Sequence, residues 1–249
     1  MKKRIEVTLP DYFSVKHYKS LGSFEHMDEV DRVVATIVAT TEHSGEEVMR
    51  WNMSDLLSVY KGVSELLSDI TNEFYPVFEF RGQMYGFQPL SKMSVAEWID
   101  LDARLKEPIK NLEELMAILY RPITSHKLES FEWKVKSYIK TVIGSAESIF
   151  KYYEVEEYDV EKRDWRTEVF KDLPISYALG ALTFFLSFGM MLQRDLVSSS
   201  PNMTKAEKKG MIQAIDLAIQ SLNTTAGSSY YEESVHKSST SQEKNQSLS

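Results

Sequence analysis

The side chains best suited to metal binding or proton transfer are five histidines and a small group of carboxylates. The histidines are His17, His26, His43, His126 and His236, and the carboxylates are Glu97, Asp100 and Asp102. No two histidines stand four apart, so none forms the helical pair that grips zinc from one face. Three carboxylates on one short segment could ligate a divalent cation. The simpler expectation is a solvated helix face bracketing a buried Trp98 and Ile99. There is no glycine-rich phosphate loop, no G-x-S-x-G elbow and no H-E-x-x-H. The absence of cysteine removes thiolate ligands, thiol nucleophiles and disulfides. An enzyme would need titratable groups converging on a concave site, and the spacing reveals none. The expectation is therefore no catalytic, cofactor-binding or metal-binding residue, and a protein that is not an enzyme.

Two other patterns suit contact with another polypeptide. Tyr75-Pro76-Val77-Phe78-Glu79-Phe80 and Met84-Tyr85-Gly86-Phe87 flank Arg81-Gly82-Gln83, which reads as a β-hairpin closed by a three-residue, glycine-containing connection. Its aromatics Phe78, Phe80, Tyr85 and Phe87 are candidate contact residues, since aromatic side chains dominate interface energetics. The plainer reading is an aromatic strand. From Ile175 to Leu192 no residue is charged, and Ser176, Gly180, Thr183 and Ser187 recur at intervals of four, three and four. They form a stripe of small residues beside a broad face of Leu179, Leu182, Phe185, Leu186 and Met190. Eighteen residues at about 1.5 Å each barely span a hydrocarbon core of about 30 Å. With a mean hydropathy of −0.32 and no second such stretch, a membrane span is disfavoured against a core or partner-binding helix.

The elements that must position these residues are mostly helical. Ile5 to Leu9 alternates like a short strand. Asp28 precedes Val30, Val33, Val34, Ile37 and Val38, one face of a helix, with a strand as the rival because of the β-branched content. Ser54 is the expected cap of a helix burying Leu56, Leu57, Tyr60, Val63, Leu66, Leu67 and Ile70. Ser94-Val95-Ala96-Glu97 and Thr204-Lys205-Ala206-Glu207 are capping boxes. Asn111 opens a helix that Pro122 stops, a long helical period runs from Leu128 to Tyr153, and an acidic link covers Glu154 to Glu161. A lone hairpin is marginal in water, so it should pack on the helices or pair with the N-terminal strand. The expected class is mainly α (α+β): a helical bundle with one short β-hairpin and a disordered C-terminal tail. Residues 1–72 supply the N-terminal strand and helices and 73–223 the hairpin and helical core, together one continuous unit, with 224–249 the polar tail.

At 249 residues, 43% apolar and 27% charged, the chain can bury a substantial core. A formal charge of −8 with no basic stripe excludes nucleic acid as the expected partner. Met1-Lys2-Lys3-Arg4 imitates the basic head of an export signal. Ile5 to Asp11 then places charges and a proline where an apolar stretch would have to stand, so export by that route is not expected.

Three segments also resemble a family of small tailed-bacteriophage proteins. Tyr85-Gly86-Phe87-Gln88-Pro89 is similar to its "YGF-P" hairpin, and Met93 to Asp102 to its "mt-gE-idLd" helix. Met116 to Pro122 is similar to its "LYRP" helix end, and Asp172 to Phe185 to its "mPl-valGa--Ff" helix. The similarity spans roughly residues 70 to 195. It implies a tail assembly chaperone that coats helices of the tape-measure protein in the host cytoplasm and brings no catalytic residues. The alternative is a ring or connector subunit kept in the virion at the head–tail junction. Implied partners are other phage structural or tail proteins, or further copies of the chain. Mobile methionines at 190, 191, 203 and 211 fit a surface that repacks against varied partners.

Overall fold

At several helix starts in this chain a side chain satisfies orphan backbone N–H groups of the first turn. The structure, a computed structural model, describes residues 6–22, 24, 26–126, 152–201 and 203–225. Helix α1 covers Val15–Gly22, α2 Glu29–Thr40, α3 Gly45–Val48 and α4 Met53–Ser68. The segment from Asp28 is helical, which excludes its strand rival, although the Asp28 side chain makes no cap bond. Asn52, not Ser54, caps α4: its side chain accepts the Asp55 N–H at 3.0 Å. A reciprocal Ser44–Glu47 capping box opens the short α3. The strand expected at the N-terminus does not form over the described residues 6–9, where Leu9 instead packs against Gly62 of α4.

Strands β1 (Val77–Phe80) and β2 (Gln83–Phe87) form the hairpin. Gln83 pairs with Phe80, so the connection is a two-residue turn and not three. Arg81 and Gly82 both take positive φ, 51° and 74°, the combination a tight right-twisting hairpin needs. The hairpin is the first half of a four-stranded antiparallel sheet in the order β1-β2-β3-β4, with β3 at Tyr120–His126 and β4 at Tyr153–Val155. Pro122, the third residue of β3, therefore stands in a strand facing Tyr85 and does not end a helix. Tyr153 also falls in β4, and the rest of the helical period expected from Leu128 lies outside the described residues. Gly86, on the inner strand β2, leaves room for a side chain of β4: a Cβ there would come within 2.5 Å of the Tyr153 ring, whose hydroxyl donates to the Phe87 carbonyl at 2.8 Å.

The remaining helices are α5 (Val95–Leu105), α6 (Leu112–Leu119), α7 (Val160–Phe170), α8 (Ile175–Ser199) and α9 (Lys205–Thr225). Among the described residues this gives nine helices and one small sheet, a mainly α chain with a β-hairpin. Both expected boxes are present, Ser94–Glu97 before α5 and Thr204–Glu207 before α9. Residues 224 and 225 continue α9, and the tail beyond them lies outside the described residues. Helix α6 is buried on every side and is the axis of the main core, which also takes Phe13, Val15 and Val63 from the first 72 residues. A smaller cluster of Val33, Ile37, Val48 and Leu56 closes α2, α3 and α4 on one another. Asp172 ties three distant segments together, receiving Lys16 and Arg81 at 2.6 Å each. Those bonds hold its carboxyl below the usual carboxylate range.

Helix α8 has two unlike halves. Its first half is core, with Ile175, Ala178, Leu179, Ala181, Leu182 and Phe185 buried. Along its outer half α9 runs antiparallel, with Arg194 reaching Asp216 at 3.5 Å and the Lys208 amine donating to the Ser198 carbonyl, while Leu192 and Leu196 stay exposed. The small-residue stripe lies in the first half and seats the chain between α4 and β1. Ser176 Oγ accepts the Thr71 N–H, and Phe74 stacks on Phe184 at 3.8 Å. A Cβ on Gly180 would lie 2.0 Å from the Glu73 carbonyl oxygen, whereas one on Gly189 meets nothing within 4 Å. One substitution should therefore have opposite signs at two places on one helix. Gly180→Ala is expected to destabilise by about 2 kcal/mol or more through overpacking. Gly189→Ala should stabilise by about 0.5–1 kcal/mol through helix propensity, both read as shifts in the urea midpoint.

Candidate functional site

Arg121 follows directly on the buried run of α6 and is itself only 3% exposed. A guanidinium taken out of water needs a carboxylate beside it. Glu97, equally buried, supplies one: Arg121 Nη2 donates to Glu97 Oε1 at 2.7 Å. The other oxygen of Glu97 accepts the Ser94 N–H at 2.6 Å, so one side chain both caps α5 and neutralises Arg121. Burial holds the Arg121 guanidinium below its ordinary pKa, against the pull of Glu97 and Glu156.

Pinning Glu97 inward fixes the rotation of α5 about its axis. Residues three, four and seven positions on share that face, so Asp100, Leu101 and Arg104 also point inward. Asp100 receives the Tyr158 hydroxyl and the Arg163 guanidinium, and Arg104 reaches Glu114 at 2.6 Å. Arg166, 1% exposed on α7, donates to the Ala117 carbonyl at 3.2 Å and pairs with Glu156 at 3.0 Å. The Tyr158 ring lies 6.0 Å from the Arg121 guanidinium. A charged layer thus binds α5, β3, α7 and the link before α7. Its buried bonding is incomplete, since Arg121 Nε and Arg166 Nη2 have no hydrogen-bond partner.

The opposite face of α5 carries its apolar residues into solvent. Val95 is 77% exposed, Ile99 65% and Trp98 40%. The expectation that Trp98 and Ile99 are buried is corrected here. The inward face of α5 is shared by Glu97, which answers Arg121, and the fully buried Leu101, and this rotation leaves Val95, Trp98 and Ile99 outside. An exposed apolar face above buried charges is the informative departure from ordinary patterning. On one flank Trp98 approaches Phe185 of α8, with ring centroids 6.2 Å apart; on the other, Asp100 holds Tyr158 and α7.

The eight contact residues proposed from sequence lie elsewhere. Phe78, Phe80, Tyr85 and Phe87 are all core, each 9% exposed or less. Phe78 stacks on Tyr177 at 4.7 Å and packs on Tyr85, Tyr120 and Phe170. They form no exposed surface, so Phe80→Asp would test folding and not contact. Ser176, Gly180 and Thr183 serve the chain's own packing, and the Ser187 hydroxyl is buried without a partner. Of the grouped carboxylates, Glu97 and Asp100 are engaged by arginines and Asp102 is exposed. Among the described residues no cluster of three histidines or carboxylates is placed to hold a metal. No family model, curated protein or solved structure matches the chain.

Two consequences can be measured. Arg121→Met should cost about 3–5 kcal/mol because it strands a buried carboxylate. The pair Glu97→Gln with Arg121→Met should recover much of that, since glutamine can still complete the capping box. Burial alone would raise the Asp100 pKa, but Tyr158, Arg163 and Arg104 bring it below the usual carboxylate range. A depressed folded-state pKa gives stability that is present above about pH 4 and lost as pH falls through the folded value. Wild type should therefore exceed Asp100→Asn at neutral pH, and the gap should close on acid titration below about pH 4.

Proposed function

We propose that this chain is a non-enzymatic morphogenesis protein of a tailed phage that acts by protein–protein contacts. The most specific form of the reading is a tail assembly chaperone holding helical segments of the tape-measure protein in the host cytoplasm. The observation that carries it is the outward apolar face of α5, kept in place by a buried ion pair. A helix that shows Val95, Trp98 and Ile99 at i, i+3 and i+4 presents the spacing used when one helix packs on another.

Further support comes from the α8–α9 pair, which exposes Leu192, Leu196, Met211 and Leu217 along its outer surface. Met191 is partly exposed beside them. Unbranched, polarisable methionine adapts to unlike partners, which suits a holder of varied sticky helices. Helix α8 is also long and apolar enough to cross a membrane by length and composition. Its first half is spent on the protein core, which favours a packing role.

Val95→Asn with Ile99→Asn changes exposed positions, so the folded chain should keep its stability within about 0.5 kcal/mol. Co-expressed with the tape-measure protein, wild type should hold it soluble and the double variant should lose at least about tenfold of that capture, or about 1.4 kcal/mol. Undiminished capture by the folded variant would remove α5 from the reading. Stoichiometric copies of the chain in purified virions would replace the chaperone with a connector subunit retained at the head–tail junction.

A further inference from the structure

The two flanks of the α5 face differ in chemistry, and the difference bears on what covers it. On the Trp98 side the surface continues apolar toward Phe185 and the outer half of α8, where Leu192 and Leu196 are exposed. On the Asp100 side stands the link into α7. From 154 to 164 it holds Glu154, Glu156, Glu157, Asp159, Glu161 and Asp164 against two cations. Both cations are already engaged, Lys162 by Glu156 at 2.7 Å and Arg163 by Asp100 and Asp164. Glu157, Asp159 and Glu161 are exposed, as is Asp102 on the face itself. The Tyr158–Asp100 hydrogen bond anchors this acidic edge beside the apolar strip.

We propose that the α5 face takes a cationic amphipathic helix. Its apolar ridge covers Val95, Trp98 and Ile99, and its Lys/Arg edge lies along the acidic link from Glu157 to Asp164. The inference rests on the contact reading above and adds the charge of the partner. A helix with one apolar stripe and a basic border satisfies both flanks together. An acidic helix would set like charges along the link, which costs affinity and slows encounter. Nucleic acid supplies no apolar ridge and is repelled by the same edge.

The test is fluorescence polarisation with the full chain and three labelled peptides of about 18 residues. One is an amphipathic Leu/Lys helix, one the same helix with Glu for Lys, and one the Leu/Lys composition scrambled. The Leu/Lys helix should bind at least about tenfold tighter than the other two, and more weakly as salt shortens the screening length. Glu157→Lys with Glu161→Lys should cost it about tenfold, and Val95→Asn with Ile99→Asn should abolish it. If the Glu helix binds equally well, still through Val95 and Ile99, the cationic inference fails and the contact reading stands. If scrambled and ordered Leu/Lys peptides bind alike and the Val95/Ile99 variant changes nothing, the attraction is unspecific and both fail.

Discussion

Glu97 and Arg121 are removed from water together, and most of what is distinctive about this chain follows from that. Such a pair gains little net stability, because the Coulomb attraction is spent against desolvation of both ions. Its strength is directional. Arg121 is held by β3 against the buried helix α6, so the carboxylate must come to it. Glu97 can do so in only one rotation of α5, since its other oxygen caps the same helix at Ser94. Rolling α5 to bury Val95 and Ile99 would break a cap, strand a guanidinium and turn the fully buried Leu101 outward. The about 2 kcal/mol regained for each apolar side chain is offset by several lost with the pair and by Leu101 itself.

The rest of the charged layer works as a clamp on that choice. Asp100, one turn on, takes Arg163 and Tyr158, and Arg104 takes Glu114, so α5 is held along its whole length. In the aromatic core beneath, Phe78 packs on Tyr120 and Tyr177 and Tyr85 on Phe170, and α5 adds Leu101 to the same cluster.

The helix starts at Ser94–Glu97 and Thr204–Glu207 were legible in the sequence because capping is local chemistry, whereas the Ser44–Glu47 box was missed and Asn52 supplies the cap expected of Ser54. The hairpin was legible from its period and its glycine. Strands β3 and β4 were not, since Tyr120 to His126 contains a proline and only its neighbours in space make it a strand. Helix α7 was hidden because two of its three buried residues are Arg163 and Arg166, and Phe170 alone makes no apolar stripe. The contact face failed for the same reason in reverse: reading apolar as inside put Trp98 and Ile99 in the core. One signal was available. Arg121 ends a run of buried apolar residues from Leu115 to Tyr120, and a charge there demands a buried partner. Glu97, the acidic residue of the capping box that opens α5, is the carboxylate that meets it.

The acidic edge and the apolar strip act over different distances. Screened charge reaches about 8–10 Å at ordinary ionic strength, so Glu157, Asp159 and Glu161 can bias the approach of a partner before contact. Burial of Val95, Trp98 and Ile99 begins only when water is expelled, and it sets how long the partner stays. For the proposed cationic helix, dividing encounter from residence in this way would let a chain of net charge −8 select cationic segments while holding only those with a matching apolar ridge. The division depends on the two features lying side by side, and the Tyr158–Asp100 bond keeps them so.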